Sequence, residues 1–86
     1  MNKKNLFFQA VEEDRKIDVF HFVKDEKFNY KECLNEAFLL AVLKQRVATV
    51  KYFIRLGANI HTHNDLAYTL AYYNNNNDIL EILKNN

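Results

Sequence analysis

Apolar residues recur along this chain at three- and four-residue intervals, in short runs separated by polar clusters. Leu6, Phe7, Ala10 and Val11 fall on one face of a helix over residues 5–13, which the acidic Glu12-Glu13-Asp14 closes. Val19, Phe22 and Val23 share the face of a second helix, and the connection is short enough to make the two antiparallel neighbours. Residues 25–31 are polar apart from Phe28 and Tyr30 and read as a loop. A third helix starts at Asn35 or Glu36, runs through Ala37, Phe38, Ala41 and Val42, and ends near Gln45. A fourth spans Ala48 to Leu56 through Val50, Phe53 and Ile54, and stops at Gly57, the only glycine in a chain without proline. Residues 59–65 are turn-rich, with Asp65 placed to cap a helix over 66–73. Asn74 to Asn77 form the next loop, and Asn77 or Asp78 caps a last helix through Leu83. No segment alternates apolar and polar for more than a few residues, so the pattern predicts an all-α fold of six short helices in three pairs.

The pairs repeat. A shift of 31 residues superposes Phe7 on Phe38, Ala10 on Ala41, Val11 on Val42, Val19 on Val50 and Phe22 on Phe53. A shift of 30 superposes Phe38 on Tyr68, Ala41 on Ala71 and Phe53 on Leu83. Each unit places a large apolar residue, then an alanine three later, on its first helix. The small alanine admits a close neighbour while the larger residue fills the layer between units. One such unit cannot bury its own face, and about three are needed for a stable array.

Leu40-Ala41-Val42 followed by Val50-Lys51-Tyr52-Phe53-Ile54-Arg55-Leu56-Gly57-Ala58-Asn59-Ile60 resembles an ankyrin repeat, and Asn64-Asp65-Leu66-Ala67-Tyr68-Thr69-Leu70-Ala71 is similar to the inner helix of the next one. The resemblance implies a short ankyrin-like solenoid of three stacked helix-turn-helix units, approximately residues 3–31, 32–61 and 62–86, forming a single domain. It also implies a scaffold that binds another protein. The family's Thr-Pro-Leu-His start and its Gly-His turn are missing. Asp14-Arg15, Gln45-Arg46 and Asn75-Asn76 stand at the turns, and glutamine is the hardest of these to place where a positive φ is required. Because Gly57 has no counterpart at Asp25-Glu26, the joint after Gly57 should be regular and the first joint irregular.

Composition adds limits. Eighty-six residues make one small domain, and an apolar share of 49% suffices for a core. The net charge of +1 gives no electrostatic footprint for nucleic acid, which is therefore not the expected partner. The basic run Lys44, Arg46, Lys51 and Arg55 is the feature on which an alternative nucleic-acid-binding reading would rest. A single cysteine excludes an internal disulfide, and no apolar run reaches the ~20 residues of a membrane span, so a cytoplasmic protein is expected. An asparagine-rich, proline-free composition fits AT-rich coding, as in a virus, a phage or an AT-rich bacterium, and of these a virus- or phage-encoded inhibitor or adaptor that occupies a host protein is the expectation.

Candidate contact residues follow from the repeat. The ends of the first helices of the units should lie side by side, about 10 Å apart, bringing Lys44, Arg46, Tyr73, Asn74 and Asn75 into one row with the acidic Glu12-Glu13-Asp14. The loop tips add Tyr30, Lys31, His61, Thr62 and His63. Tyr68, Tyr72 and Tyr73 cannot all face the interior of one short helix, and Tyr72 joins Tyr73 as a contact candidate because tyrosine combines area with a polar tip. His61 and His63 could hold zinc only with Asp65 or Cys33 and a fourth ligand that no spacing supplies. Cys33 and His21 lack an orienting third residue, so neither an enzyme nor a cofactor is expected. Apolar residues in excess on the last helix, Ile79, Leu80, Ile82 and Leu83, leave room for a homodimer formed through the terminal helices.

Overall fold

The computed structural model describes residues 2–86, and among them six α-helices and no strand. The helices are α1 (Lys3–Glu12), α2 (Lys16–Lys24), α3 (Leu34–Leu43), α4 (Val47–Arg55), α5 (Thr62–Tyr73) and α6 (Asn77–Lys84), and Tyr30–Cys33 forms a 3-10 turn ahead of α3. The all-helical prediction holds. Asn2 caps α1 by accepting from the Lys4 N–H, and Asn76 caps α6 by accepting from the Ile79 N–H. The α6 cap thus lies before the expected Asn77 or Asp78, because Asn76 is the last residue in extended conformation.

Three chain reversals use the same device. Asp14, Gln45 and Asn75 all have left-handed backbone, at φ 58°, 60° and 52°. At each, the following amide donates to a carbonyl five residues back: Arg15 to Ala10, Arg46 to Ala41 and Asn76 to Ala71, at 2.8, 2.8 and 3.0 Å. The left-handed residue itself donates three back, to Val11, Val42 and Tyr72. This pair of bonds satisfies carbonyls that the helix end leaves without partners, and it normally selects glycine or asparagine at the left-handed position. Gln45 adopts the conformation nonetheless.

Gly57, at φ 103°, ends α4 with the same pair, Ala58 to Phe53 and Gly57 to Ile54, both 3.0 Å. After α2 there is no left-handed residue; Asp25 is extended, and the chain passes through Phe28 to the 3-10 turn. The first joint is therefore irregular, as the glycine placement predicted, and α4 ends regularly at Gly57; the joint that follows is not regular throughout, because its residues 63–65 are left-handed as well.

Antiparallel pairs α1/α2, α3/α4 and α5/α6 pack on one another through α1 against α3, α3 against α5 and α4 against α6. Being packed on both sides, α3 buries Leu34, Ala37, Phe38, Ala41 and Val42. Ala10, Ala41 and Ala71 are all buried, as their role in close helix approach requires. Phe7 is fully buried, its ring 5.9 Å from Phe53 of the second pair and 5.3 Å from Phe28. Phe28, although in a loop, thus completes the first layer of the core. The whole measures 34 × 21 × 18 Å.

The start of α5 departs from the sequence expectation. His63, Asn64 and Asp65 form a left-handed turn, with φ between 56° and 60°, and right-handed helix begins only at Leu66. Asp65 does not cap the helix with its side chain; its carboxylate meets His61 Nδ1. Asparagine and aspartate tolerate this conformation better than most residues, which explains why a three-residue left-handed turn can stand at this point of the sequence.

Candidate functional site

The row of helix ends exists, and much of it is occupied by its own neighbours. Arg46 donates from Nε (3.2 Å) and Nη2 to the carbonyl of Glu12 at the end of α1, while Lys44 Nζ lies 3.4 Å from the Glu12 carboxylate. In the next joint Asn74 Nδ2 donates to the Leu43 carbonyl at 3.5 Å, and Asn76 Nδ2 to Gln45 Oε1 at 3.2 Å. Glu12 and Leu43 are equivalent positions, so each turn satisfies a carbonyl left open by the preceding one. The ion pair is exposed and contributes about 0–1 kcal/mol. Lys44, Arg46 and Asn74 therefore tie adjacent turns together, whereas Asn75 and Tyr73 in the same row are exposed.

Three exposed aromatic residues lie on α5. Tyr68, Tyr72 and Tyr73 have relative exposures of 41%, 67% and 77%. With His61, Asp65 and Thr69 they line an open groove of about 600 Å3. Tyr72 and Tyr73 meet edge to face, ring centroids 5.8 Å apart, an arrangement that limits the rotamers of both. At the far side the left-handed turn brings His61 and Asp65 into contact, and Thr62 Oγ1 lies 2.9 Å from His63 Nδ1.

The groove joins three sequence candidates, His61, Tyr72 and Tyr73, with Tyr68, Thr69 and Asp65, which had not been assigned to it. The signal for Tyr68 was present. It aligns with Phe7 and Phe38, both fully buried, and Tyr72 aligns with Val11 and Val42, also fully buried. These positions are covered in the first two pairs by α3 and α5, and among the described residues no helix covers the third. The apolar residues of α6 are, by contrast, tucked in: Ile79 and Leu83 are buried, and Leu80 and Ile82 half-buried against the core.

The remaining candidates lie apart. Tyr30 is half-buried against the core at the start of the 3-10 turn, while Lys31 beside it is exposed. Lys51 and Arg55 lie with Ile54 and Ile82 along a separate groove between α4 and α6, so the basic run is divided between two surfaces. Cys33 is buried, and that burial pushes its thiol above the ordinary cysteine range, which lowers the thiolate fraction a nucleophile needs. Among the described residues, no three His, Cys, Asp or Glu side chains come together as a metal cluster would require. The chain matches no protein-family model, no curated protein sequence and no solved structure.

Proposed function

We propose that this chain is a protein-binding module: a three-unit, ankyrin-like solenoid that holds another protein against the aromatic groove on α5 and the adjoining loop tip. The repeat reading is supported by the left-handed residues at 14, 45 and 75, spaced 31 and 30 apart with matching hydrogen bonds. It is supported too by helix pairs that contact their sequence neighbours. The observation that carries the binding assignment is the exposure of Tyr72 and Tyr73 beside Tyr68 and His61 in one groove. Aromatic residues in such a cluster give a partner large contact area for little loss of side-chain freedom, with hydroxyl groups to fix orientation. An inhibitor or adaptor is the role that suits a scaffold presenting contact area.

Capture from a lysate of the source cell tests this. Replacing Tyr72 and Tyr73 together by alanine should weaken capture at least about tenfold, the loss of a single ~1.4 kcal/mol anchor. Exchange of Lys51 and Arg55 for alanine should leave it unchanged. A partner held equally by both variants would overturn the assignment to the groove.

A further inference from the structure

We propose that copies of this chain stack head to tail, the tyrosine face of α5 in one copy seating on the α1/α2 end of the next, with Tyr68 entering a socket there. The proposal rests on the repeat reading above and names a second copy as a partner of the same face.

The socket is an open groove of about 380 Å3 whose apolar lining comes from Leu6, Ala10 and Phe22 and whose polar lining includes Gln9, Asp18 and His21. Leu6, Ala10 and Phe22 align with Ala37, Ala41 and Phe53 in the second pair, and with Ala67, Ala71 and Leu83 in the third. All six of those later residues are buried, four alanines and Phe53 completely. Each of those pairs is packed on the pair before it, through α1 against α3 and through α3 against α5 and α4 against α6. The first pair has no predecessor among the described residues; Ala10 is buried there too, but Leu6 and Phe22 are only half-buried and line the open groove.

The knob that fills such a surface is known from within the chain. Phe7 lies against Phe53 of the following pair at 5.9 Å, and Phe38 is equally buried on the helix that packs against α5. Tyr68 is the third member of that series and stands exposed. Stacking one copy on another therefore brings Tyr68 to Phe22 in the way that Phe7 is brought to Phe53. A tyrosine suits the end position because its hydroxyl is solvated when uncovered and can pair with Gln9, Asp18 or His21 when covered.

A third part matches independently. Arg46 ties the second turn to the first by donating to the Glu12 carbonyl. Arg15 occupies the equivalent position in the first turn, and Tyr73 supplies the carbonyl equivalent to Glu12 in the last. Arg15 is exposed and, among the described residues, pairs with Glu13 and Asp18 of its own unit. In the stack it reaches Tyr73 of the neighbouring copy.

Knob and socket are different surfaces, so the contact is heterologous and does not close at a dimer. Sedimentation equilibrium over a roughly hundredfold concentration range should show an average mass rising from the 10.3 kDa monomer past twice that value. Tyr68→Arg, which keeps the socket, and Leu6→Arg, which keeps the knob, should each remain monomeric alone. Mixed in equal amounts they should form a one-to-one dimer. Helix content is checked by circular dichroism, and Gln9→Arg, at an exposed socket position, replaces Leu6→Arg if that variant unfolds. A wild-type mass fixed at the monomer throughout would overturn the proposal. So would a dimer that grows no further and is not restored by mixing the two variants. A monomeric wild type that still captures a different protein through Tyr72 and Tyr73 would remove self-stacking and leave the binding function standing.

Discussion

Gln45 offers a test of whether the three reversals are physically equivalent. A residue with a β-carbon pays about 1–2 kcal/mol in left-handed conformation, and Gln45 sits there at φ 60°. Gln45→Gly removes that strain. Against this stand the greater freedom of glycine in the unfolded chain, about 0.4–1 kcal/mol, and loss of the exposed bond from Asn76 Nδ2 to Gln45 Oε1 at 3.2 Å, near the low end of ~0.5–1.5 kcal/mol. The net expectation is a stabilisation of about 0.5 kcal/mol, or roughly 2–4 °C in Tm for a domain of this size. Asn75→Gly should change stability less, because asparagine already tolerates the conformation. Gly57→Ala should lower it by at least about 1 kcal/mol, although a β-carbon there meets no atom within 4 Å, because φ is +103°. Urea and thermal unfolding followed by circular dichroism measure all three. A Gln45→Gly variant destabilised by more than about 1 kcal/mol would mean that residue 45 is not left-handed and that the turns are not equivalent.

Phe38→Ala, at a position with no exposure between α1 and α5, should cost about 3–5 kcal/mol and leave the domain largely unfolded in a urea titration, while Tyr72→Ala should stay within about 0.5 kcal/mol of the parent. Arg46→Ala should destabilise by about 1 kcal/mol through loss of both bonds to the Glu12 carbonyl, and Arg46→Lys should recover only part of it, since one ammonium cannot reproduce the guanidinium fork. Cys33 should react slowly with a thiol reagent at neutral pH and at the free-thiol rate once the chain is unfolded. Because burial raises its folded pKa, the unfolded chain loses the thiol proton first as pH rises. Stability should be level below the unfolded value of ~8.5 and should fall above it towards the folded value, a component that Cys33→Ala abolishes when midpoints are compared across pH.

Helix periodicity and the 30- and 31-residue shifts located all six helices to within a few residues, because each helix carries its own apolar stripe and the stripes coincide when superposed. Gly57 was legible for the same local reason: its left-handed joint follows from the residue type. Gln45 was not, since nothing in glutamine favours φ 60°; the surrounding helix pair imposes the turn. The left-handed run at His63–Asp65 escaped notice because Asp65 has the chemistry of a cap, and only the fold shows its carboxylate turned to His61. Lys44, Arg46 and Asn74 were read as contact residues because sequence gives their location at the turns but not their partners, which lie 31 to 34 residues away. Tyr68 was the opposite case. It aligns with the buried Phe38 yet is exposed, because among the described residues no helix covers that face of α5.

The account depends on helix pairs that stack in sequence order, joined by equivalent contacts. Side-chain nuclear Overhauser effects from the folded protein test this most directly. Strong cross-peaks are expected between the rings of Phe7 and Phe53 and between the Asn74 side-chain amide and Leu43, with Tyr68 and Tyr72 meeting solvent. Dominant contacts between core residues of α1 and α5, with Tyr68 buried against α1, would describe a closed bundle and contradict the stack.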